Sequence, residues 1–249
     1  MNTMNIRPAF QYRFLDTLKG VGIFYAIMAV LMAGISCLVF YAVSKGGKVS
    51  VSFFAFEFAA AITLFVMGIT TIREDMRLML QNGIGRRTIF VTELLVALSV
   101  SLLLAIAGEL LIAVGQVVIT SRSEFFITDL FQIIYANGIN YNLTLGARFE
   151  SIVLAFGLYT FVYLAGMFIS LLFYRLNKIW TLIVAIGAPL LLIMGLRIAL
   201  TPGSFLALAL GTMLEFALSS PWALFLCFLL AAVLISFLNL IAIRRAPIK

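Results

Sequence analysis

Four ionisable residues that could do chemistry lie within or beside long apolar runs of this 249-residue sequence: Glu57, Glu109, Arg197 and Glu215. A charge at the centre of a bilayer costs roughly 2.5–3.5 kcal/mol on insertion scales, so each of these side chains should face protein or water. Together, three carboxylates and one guanidinium could line an outer vestibule that receives a cationic headgroup or a peptide amine. Arg197 could equally neutralise Glu57 or Glu109 across a helix interface.

The composition argues against most other kinds of catalytic or metal site. The chain has no histidine, and its two cysteines, Cys37 and Cys227, lie inside apolar runs. A Ser-His-Asp triad and an HExxH zinc helix are therefore excluded. Glu93, close to Arg87 at the start of an apolar run, can reach water or a basic partner, so we interpret it as structural. We predict no catalytic residue, metal site or cofactor in the chain itself.

The elements that must position these residues are membrane helices. Hydrophobic residues make up 64% of the chain and charged residues 11%, whereas a soluble domain has about 45–50% and about 25%. Six apolar runs reach the roughly 20 residues that a helix needs to cross a bilayer. The predicted spans are residues 21–43, 51–72, 89–119, 152–174, 179–200 and 221–243. Residues 1–249 are therefore predicted to form one all-α, polytopic transmembrane domain.

The amino-terminal segment, residues 1–20, is too polar to cross the membrane. Phe10, Phe14 and Leu18 recur there at helical spacing, with Arg13 turned away from them. This pattern is typical of a helix that lies along the bilayer surface, so we predict an interfacial helix.

The distribution of positive charge predicts the orientation. With six spans, one side of the membrane carries twelve of the seventeen Lys and Arg residues, and the positive-inside rule places that side and both termini in the cytoplasm. The outer loop, residues 120–151, contains a short apolar stretch at 125–135 that Asp129 interrupts, so we expect this stretch to lie on a surface. A seventh crossing at 201–220 would move the carboxyl-terminal arginines outside. We therefore predict that 201–220, which contains Glu215, is a re-entrant hairpin with non-helical backbone.

The cytoplasmic loop between the second and third spans has the features of a short, separately capped helix at residues 73–83. Glu74 and Asp75 place negative charge where a helix start favours it. Asn82-Gly83 supplies the residue types that end a helix in a left-handed turn.

This loop helix carries an apolar strip. Met76, Met79 and Leu80 fall on one face at helical spacing. An adaptable, Met-rich strip suits a groove in a partner protein. The alternative is a helix that rests on lipid headgroups, with Arg86 and Arg87 as anchors.

The six-span layout, the surface helix, the re-entrant stretch and the Gln-Asn-Gly-Ile-Gly-Arg-Arg-Thr run at residues 81–88 together resemble an ABC-2-type transporter permease. The closest resemblance is to compact permeases of Gram-positive bacteria that export peptides or give antimicrobial resistance. The resemblance in architecture covers nearly the whole chain. Its local signature is the loop between the second and third predicted spans. In that family the loop carries a coupling helix that docks on an ATPase subunit. The docking residues that the resemblance implies are Arg73, Met76, Arg77, Met79, Leu80 and Gln81.

The resemblance also implies partners and a location. The chain has no GxxxxGK[ST] loop, so ATP and Mg²⁺ would bind to a separate ABC ATPase, present in two copies. The resemblance further implies that a second copy of the permease forms a homodimer with this chain and completes a multi-pass complex in the bacterial plasma membrane, surrounded by lipid. The net charge of +7 comes from basic residues that cluster at the ends of the apolar runs, as the positive-inside rule explains. No nucleic-acid partner is therefore expected.

Two other functions remain open. An ion- or proton-coupled secondary transporter would use Glu57 and Glu109 as its proton sites, although no inverted repeat is visible in the sequence. An intramembrane enzyme would use embedded carboxylates as acid and base, but the lack of histidine and of any paired-Asp protease motif argues against it.

Overall fold

A computed structural model describes residues 6–45, 51–54, 56–119, 125–135, 143–176, 201 and 205–244, with isolated positions between 183 and 197. This part of the chain is almost entirely helical. The helices are α1 (Ile6–Ser44), α2 (Phe56–Gln81), α3 (Arg86–Ile119), α4 (Leu130–Tyr135), α5 (Leu145–Arg175), α6 (Phe205–Ser219) and α7 (Pro221–Arg244). Two short strands, β1 (Val51–Phe54) and β2 (Phe125–Thr128), pair in parallel, with Val51 opposite Phe125.

Four of the described helices are long and apolar enough to cross a membrane. They are Ile6–Leu38, Arg86–Gln116, Leu145–Tyr174 and Pro221–Arg244, and a shorter apolar helix covers Phe56–Thr70. The predicted helical membrane domain is confirmed to this extent. The described positions between 183 and 197 are helical, but the predicted fifth span, 179–200, otherwise lies outside the described residues.

The prediction of a separate interfacial helix at residues 1–20 is wrong. Helix α1 runs without a break through Gly20, and its 39 residues make it about 58 Å long at 1.5 Å per residue. Arg13 is only 2% exposed, so it is not turned away into solvent. The amino-terminal part of α1 packs on the bundle because Ala9, Arg13 and Thr17, spaced four residues apart, are all buried.

Helix α2 also differs from its prediction at both ends. Residues 51–54 form a strand, so the helix begins at Phe56 rather than at residue 51. The prediction of a separately capped coupling helix at 73–83 is wrong, because α2 continues without a break to Gln81. No glycine or proline interrupts the sequence around residue 73, so nothing stops the helix from propagating.

The predicted end of this helix at Asn82-Gly83 is confirmed. Gly83 has a φ of 75°, which is the left-handed conformation that glycine adopts at low cost. Its N–H donates to the Leu80 carbonyl at 3.1 Å, and the Ile84 N–H donates to the Met79 carbonyl at 3.0 Å. These two bonds form the Schellman motif, which satisfies carbonyls that the helix leaves free.

Helix α5 is the centre of the bundle and packs against α2, α3 and α7. At its contact with α2 the two backbones meet at Gly68 and Gly166. A Cβ on Gly68 would meet the carbonyl of Tyr163, and a Cβ on Gly166 would meet the carbonyl of Phe65. Glycine at both positions is therefore what allows the close approach of α2 and α5.

The two ends of the bundle differ in their charges. Arg13 bonds to Glu93 at 2.8 Å, and Arg86 Nη1 donates to the Arg244 carbonyl at 2.9 Å. We call this the basic end; it contains the end of α2 and the end of α7, and it corresponds to the side predicted to be cytoplasmic. The opposite end, where α2, α4 and α5 begin, is the acidic end.

The segment 125–135 covers the acidic end. Leu130 and Phe131 are buried, and Asp129 has no exposed surface. The Tyr135 hydroxyl lies 3.2 Å from the Ala217 carbonyl and 3.1 Å from the Ser220 carbonyl, which ties α4 to the turn between α6 and α7. The segment contains only a short strand and a six-residue helix, and it packs into the bundle instead of lying on a surface.

The non-helical backbone predicted within 201–220 is not seen at residues 205–219. Helix α6 is continuous there and packs against α7, with a turn at Ser220 between them. Most of its described side chains are exposed, Ala217 being buried. Its 15 residues give a length of about 22 Å, shorter than a full membrane crossing.

Candidate functional site

The acidic end holds the carboxylates that the sequence singled out. Glu57, in the first turn of α2, is 5% exposed, and Glu109 of α3 is 8% exposed. Glu57 Oε1 accepts a hydrogen bond of 3.1 Å from the Leu130 N–H at the start of α4. Segment 125–135 therefore contacts α2 directly through a buried carboxylate.

A third carboxylate, Asp129, joins them through a serine. The Ser151 hydroxyl of α5 lies 2.7 Å from Asp129 Oδ2 and 3.1 Å from Glu109 Oε2. Arg148, one turn earlier on α5, donates from Nη1 to Glu109 Oε1 at 2.8 Å and from Nη2 to Gln116 Oε1 at 3.2 Å. We call Glu57, Glu109, Asp129, Arg148 and Ser151 the outer cluster.

The structure brings together only half of the predicted vestibule. Glu57 and Glu109 share the outer cluster, but Arg197 and Glu215 are exposed. Among the described residues, neither of these two forms a hydrogen bond to the cluster. Glu109 pairs with Arg148 rather than with Arg197.

Three members of the outer cluster were missed by the sequence analysis. Asp129 caps α4: the Gln132 N–H donates to Asp129 Oδ1 at 2.8 Å, and the Asp129 N–H donates to Gln132 Oε1 at 3.3 Å. This Asp-x-x-Gln capping box is a signal that the sequence does contain. Arg148 stands near the start of a long apolar helix, which marks it as a candidate partner for an embedded carboxylate. Nothing in the sequence distinguishes Ser151.

Burial changes the acidity of Asp129, which lies outside the membrane-spanning helices. Removal from water raises the pKa of its carboxyl above the ordinary value of 3.8, and the hydrogen bond from Ser151 opposes that rise. The neighbouring Arg148 charge also acts to lower it. Because burial is the larger effect, the proton is held more tightly than on an exposed aspartate.

A second buried cluster lies toward the basic end. Arg13 Nε donates to Glu93 Oε1 at 2.8 Å, and the Tyr163 hydroxyl donates to Glu93 Oε2 at 3.2 Å. Arg13 also lies 3.5 Å from Asp16. The prediction that Glu93 has a basic partner is confirmed, although the partner comes from α1. This pair fastens α1 to α3 and α5.

One face of α5 links the two clusters. Arg148, Ser151, Tyr159 and Tyr163 follow each other at helical spacing on that face. Tyr159 has no exposed surface, and its hydroxyl has no hydrogen-bond partner among the described residues. Glu57 Oε2 is also buried without a hydrogen-bond partner among the described residues. Buried polar atoms without partners are rare and commonly mark an ordered water or an ion.

The predicted docking strip is not available as a surface. Met76 and Met79 are 2% and 1% exposed and belong to the core of the bundle, and Leu80 is half-buried against it. The prediction that these residues present an open apolar strip is wrong, because the chain covers it itself. Gln81 is exposed, whereas the side chains of Arg73 and Arg77 lie outside the described residues.

A different surface is open at the same place. Leu78 is 45% exposed, and Gln81, Asn82 and Arg87 are exposed beside it. We call these four residues the basic corner. It combines one apolar side chain with polar and positive groups around the capped end of α2.

An apolar groove runs between α3, α5 and α7. Its volume is about 490 Å³, within the range of roughly 300–1,000 Å³ that small-molecule sites have. The polar side chains in its lining are Thr160 and Ser236. The bulk of the lining is aromatic and aliphatic, including Phe90, Leu94, Phe156, Phe225, Leu229 and Phe237.

These features define what the chain offers chemically. The outer cluster can hold charge and protons, the groove can hold an apolar molecule, and the basic corner can contact another protein. In the described residues, no group of His, Cys, Asp and Glu side chains has the arrangement of a metal site. No family model, curated protein or solved structure matches this chain.

Proposed function

We propose that this chain is the membrane subunit of an ATP-driven exporter, a permease of the ABC-2 type in a bacterial plasma membrane. Its cargo is hydrophobic or amphipathic, in the class of peptides and antimicrobials. ATP and Mg²⁺ bind to a separate ATPase, two copies of which join two copies of the permease. The observation that supports this most strongly is the continuity of α2.

Helix α2 connects the two ends of the bundle as one rigid element. It begins at the outer cluster, where Glu57 bonds to the Leu130 N–H, and it ends at the basic corner. Its 26 residues span about 39 Å. When an ATPase displaces the basic corner, α2 therefore transmits that displacement to segment 125–135. An external ATPase needs such a connection in order to act on the far end of the bundle.

The other features are consistent with the same function. The apolar groove suits a hydrophobic cargo, because its lining is almost entirely carbon. We place the docking surface for the ATPase at the basic corner rather than at the methionines, because Leu78 and Arg87 are exposed whereas Met76 and Met79 are buried.

Co-purification tests the docking. Leu78→Asp places a charge on the exposed apolar side chain of the basic corner, and we expect loss of the associated ATPase when the complex is isolated in mild detergent. Leu145→Asp is the matched control, because Leu145 is 88% exposed at the acidic end and should leave association intact. Equal ATPase recovery with both variants would remove the basic corner as the docking surface.

A second function is favoured by the unpartnered oxygen of Glu57. An ion- or proton-coupled transporter that uses Glu57 and Glu109 would need buried carboxylates with free hydrogen-bonding capacity, and Glu57 Oε2 has it. Transport that continues without ATP and stops when the proton gradient is collapsed would support this function. Glu57→Gln would then abolish transport without changing assembly.

A further inference from the structure

The outer cluster has fewer hydrogen-bond donors than its oxygen atoms require. Ser151 has one hydroxyl hydrogen, yet its Oγ lies within hydrogen-bonding distance of both Asp129 Oδ2 and Glu109 Oε2, at 2.7 and 3.1 Å. That hydrogen can be donated fully to only one of the two. If both carboxyls were ionised, the other oxygen would face the lone pairs of Oγ at close range. A second hydrogen is needed for both contacts to be attractive.

We propose that the outer cluster is a proton-binding site, in which Asp129 carries the proton and shares it with Glu109 through Ser151. Arg148 decides between the two carboxyls, because Nη1 donates to Glu109 Oε1 at 2.8 Å and stabilises the ionised form of Glu109. The chain of donors then runs from the Asp129 O–H to Ser151 Oγ, and from the Ser151 O–H to Glu109 Oε2. Every contact in it is attractive.

The charges around Asp129 agree with this assignment. The charge of Asp129 acts on Glu57 of α2 and on Glu109 of α3, and Arg148 of α5 supplies a positive charge beside Asp129. Three ionised carboxylates against one guanidinium would leave two buried negative charges without compensation, which is costly in a low dielectric. A proton on Asp129 removes one of them and leaves the Arg148–Glu109 pair neutral.

A separate observation points to the same ligand. Tyr159 lies on the face of α5 that carries Arg148 and Ser151, about two turns further along the helix, and its buried hydroxyl has no partner in the described residues. The charge of Glu57 acts on that hydroxyl, and Glu57 Oε2 is unpartnered as well. One unpartnered atom within the cluster, Glu57 Oε2, and one on the same face of α5, the Tyr159 hydroxyl, mark a position for water, through which a proton reaches the carboxyls.

The proton has a structural consequence. Asp129 caps α4 and holds segment 125–135 against α5. Loss of the proton places a second charge opposite Glu109 and weakens that attachment. This proton site does not depend on which energy source drives the protein.

Infrared spectroscopy of the intact protein tests the proposal, because a protonated carboxyl gives a carbonyl band that an ionised one lacks. The chain has three aspartates, Asp16, Asp75 and Asp129. We expect an acid band at neutral pH that shifts when the aspartate side-chain carboxyls are labelled with ¹³C. The band should be lost in Asp129→Asn and retained in Glu150→Gln, a matched change on α5 outside the cluster.

The labelled wild-type protein keeps the test valid even if Asp129→Asn does not fold. An acid band that fails to respond to aspartate labelling, or that survives in folded Asp129→Asn, would overturn the assignment. So would the absence of any acid band together with hydrogen exchange at 125–135 that depends on added Na⁺, since the cluster would then hold a metal cation.

Discussion

Arg13 and Glu93 show at the scale of single residues how buried charge organises this bundle. Both side chains are almost fully buried, and they join α1 to α3 across 2.8 Å. A buried pair of this kind contributes little to stability relative to apolar residues, but removal of one partner leaves the other charge stranded. The pair therefore specifies where α1 docks.

Replacement of Glu93 by Gln tests this role. The change leaves the Arg13 guanidinium without its buried carboxylate, and we expect a loss of about 3–5 kcal/mol in the free energy of unfolding. Asp16→Asn is the control, because the Asp16 side chain is 60% exposed and lies 3.5 Å from Arg13. Chemical unfolding in detergent micelles measures both variants, and equal small losses would contradict the role of the Arg13–Glu93 pair.

Burial of Asp129 should make the free energy of unfolding depend on pH. The pKa of its carboxyl is raised by burial above the ordinary value of 3.8, so the folded protein binds the proton more tightly than the unfolded chain does. As pH rises from the ordinary pKa through the raised one, the folded state holds more protons than the unfolded state, and the free energy of unfolding falls. Asp129→Asn should remove this part of the decline. Thermal unfolding across a pH series measures it, and identical slopes for the two proteins would disprove it.

At the scale of elements, the contact between α2 and α5 determines whether the bundle moves as one body. Their backbones meet at Gly68 and Gly166, where a larger residue would strike a carbonyl of the facing helix. The interface has no flexible side chain there that could give way. We therefore expect α2 and α5 to move together, and Ser151 and Arg148 to move with them.

Gly68→Ala should separate the two helices. We expect a loss of roughly 1–3 kcal/mol in the free energy of unfolding from overpacking. Gly34→Ala in α1 is the matched control, since a Cβ there meets nothing within 4 Å, and a helix interior gains roughly 0.5–1 kcal/mol from this change. Denaturant titration distinguishes the variants; a Gly68→Ala protein as stable as Gly34→Ala would show that the contact is loose.

Local sequence signals predicted some of these elements and failed for others. The Asn82-Gly83 cap and the last helix at 221–244 follow from residue types that act within one turn. The predicted start of a separate helix at Glu74-Asp75 is wrong. Helix propagation through a sequence without glycine or proline outweighs the favourable negative charge at a helix start. The β1–β2 pairing joins segments about seventy residues apart, and no local pattern encodes that partner.

The outer cluster was predictable in part for a related reason. Embedded carboxylates are conspicuous in apolar runs, so Glu57 and Glu109 were found. Arg197 was a candidate partner for either carboxylate, because depth along a span was the only available guide. The partner of Glu109 is Arg148, which the packing of α3 on α5 selects and the sequence alone does not.

At the scale of the whole molecule, helix α2 links the two ends of the bundle. The basic corner is exposed, α2 is continuous, and its first turn is bonded to the segment that covers the acidic end. In the proposed function, a partner that moves the basic corner therefore also changes the acidic end. Neither the groove nor the outer cluster alone would require such a connection.

Hydrogen exchange in the purified complex tests this transmission most directly. The tagged chain is isolated from its native membrane in mild detergent, and exchange of the backbone amides in segment 125–135 is compared with and without ATP and Mg²⁺. We predict that an ATPase accompanies the chain and that ATP changes the exchange rates at 125–135 while those of the α7 interior stay constant. A chain that is isolated without an ATPase, or exchange at 125–135 that is the same in both conditions, would contradict the account.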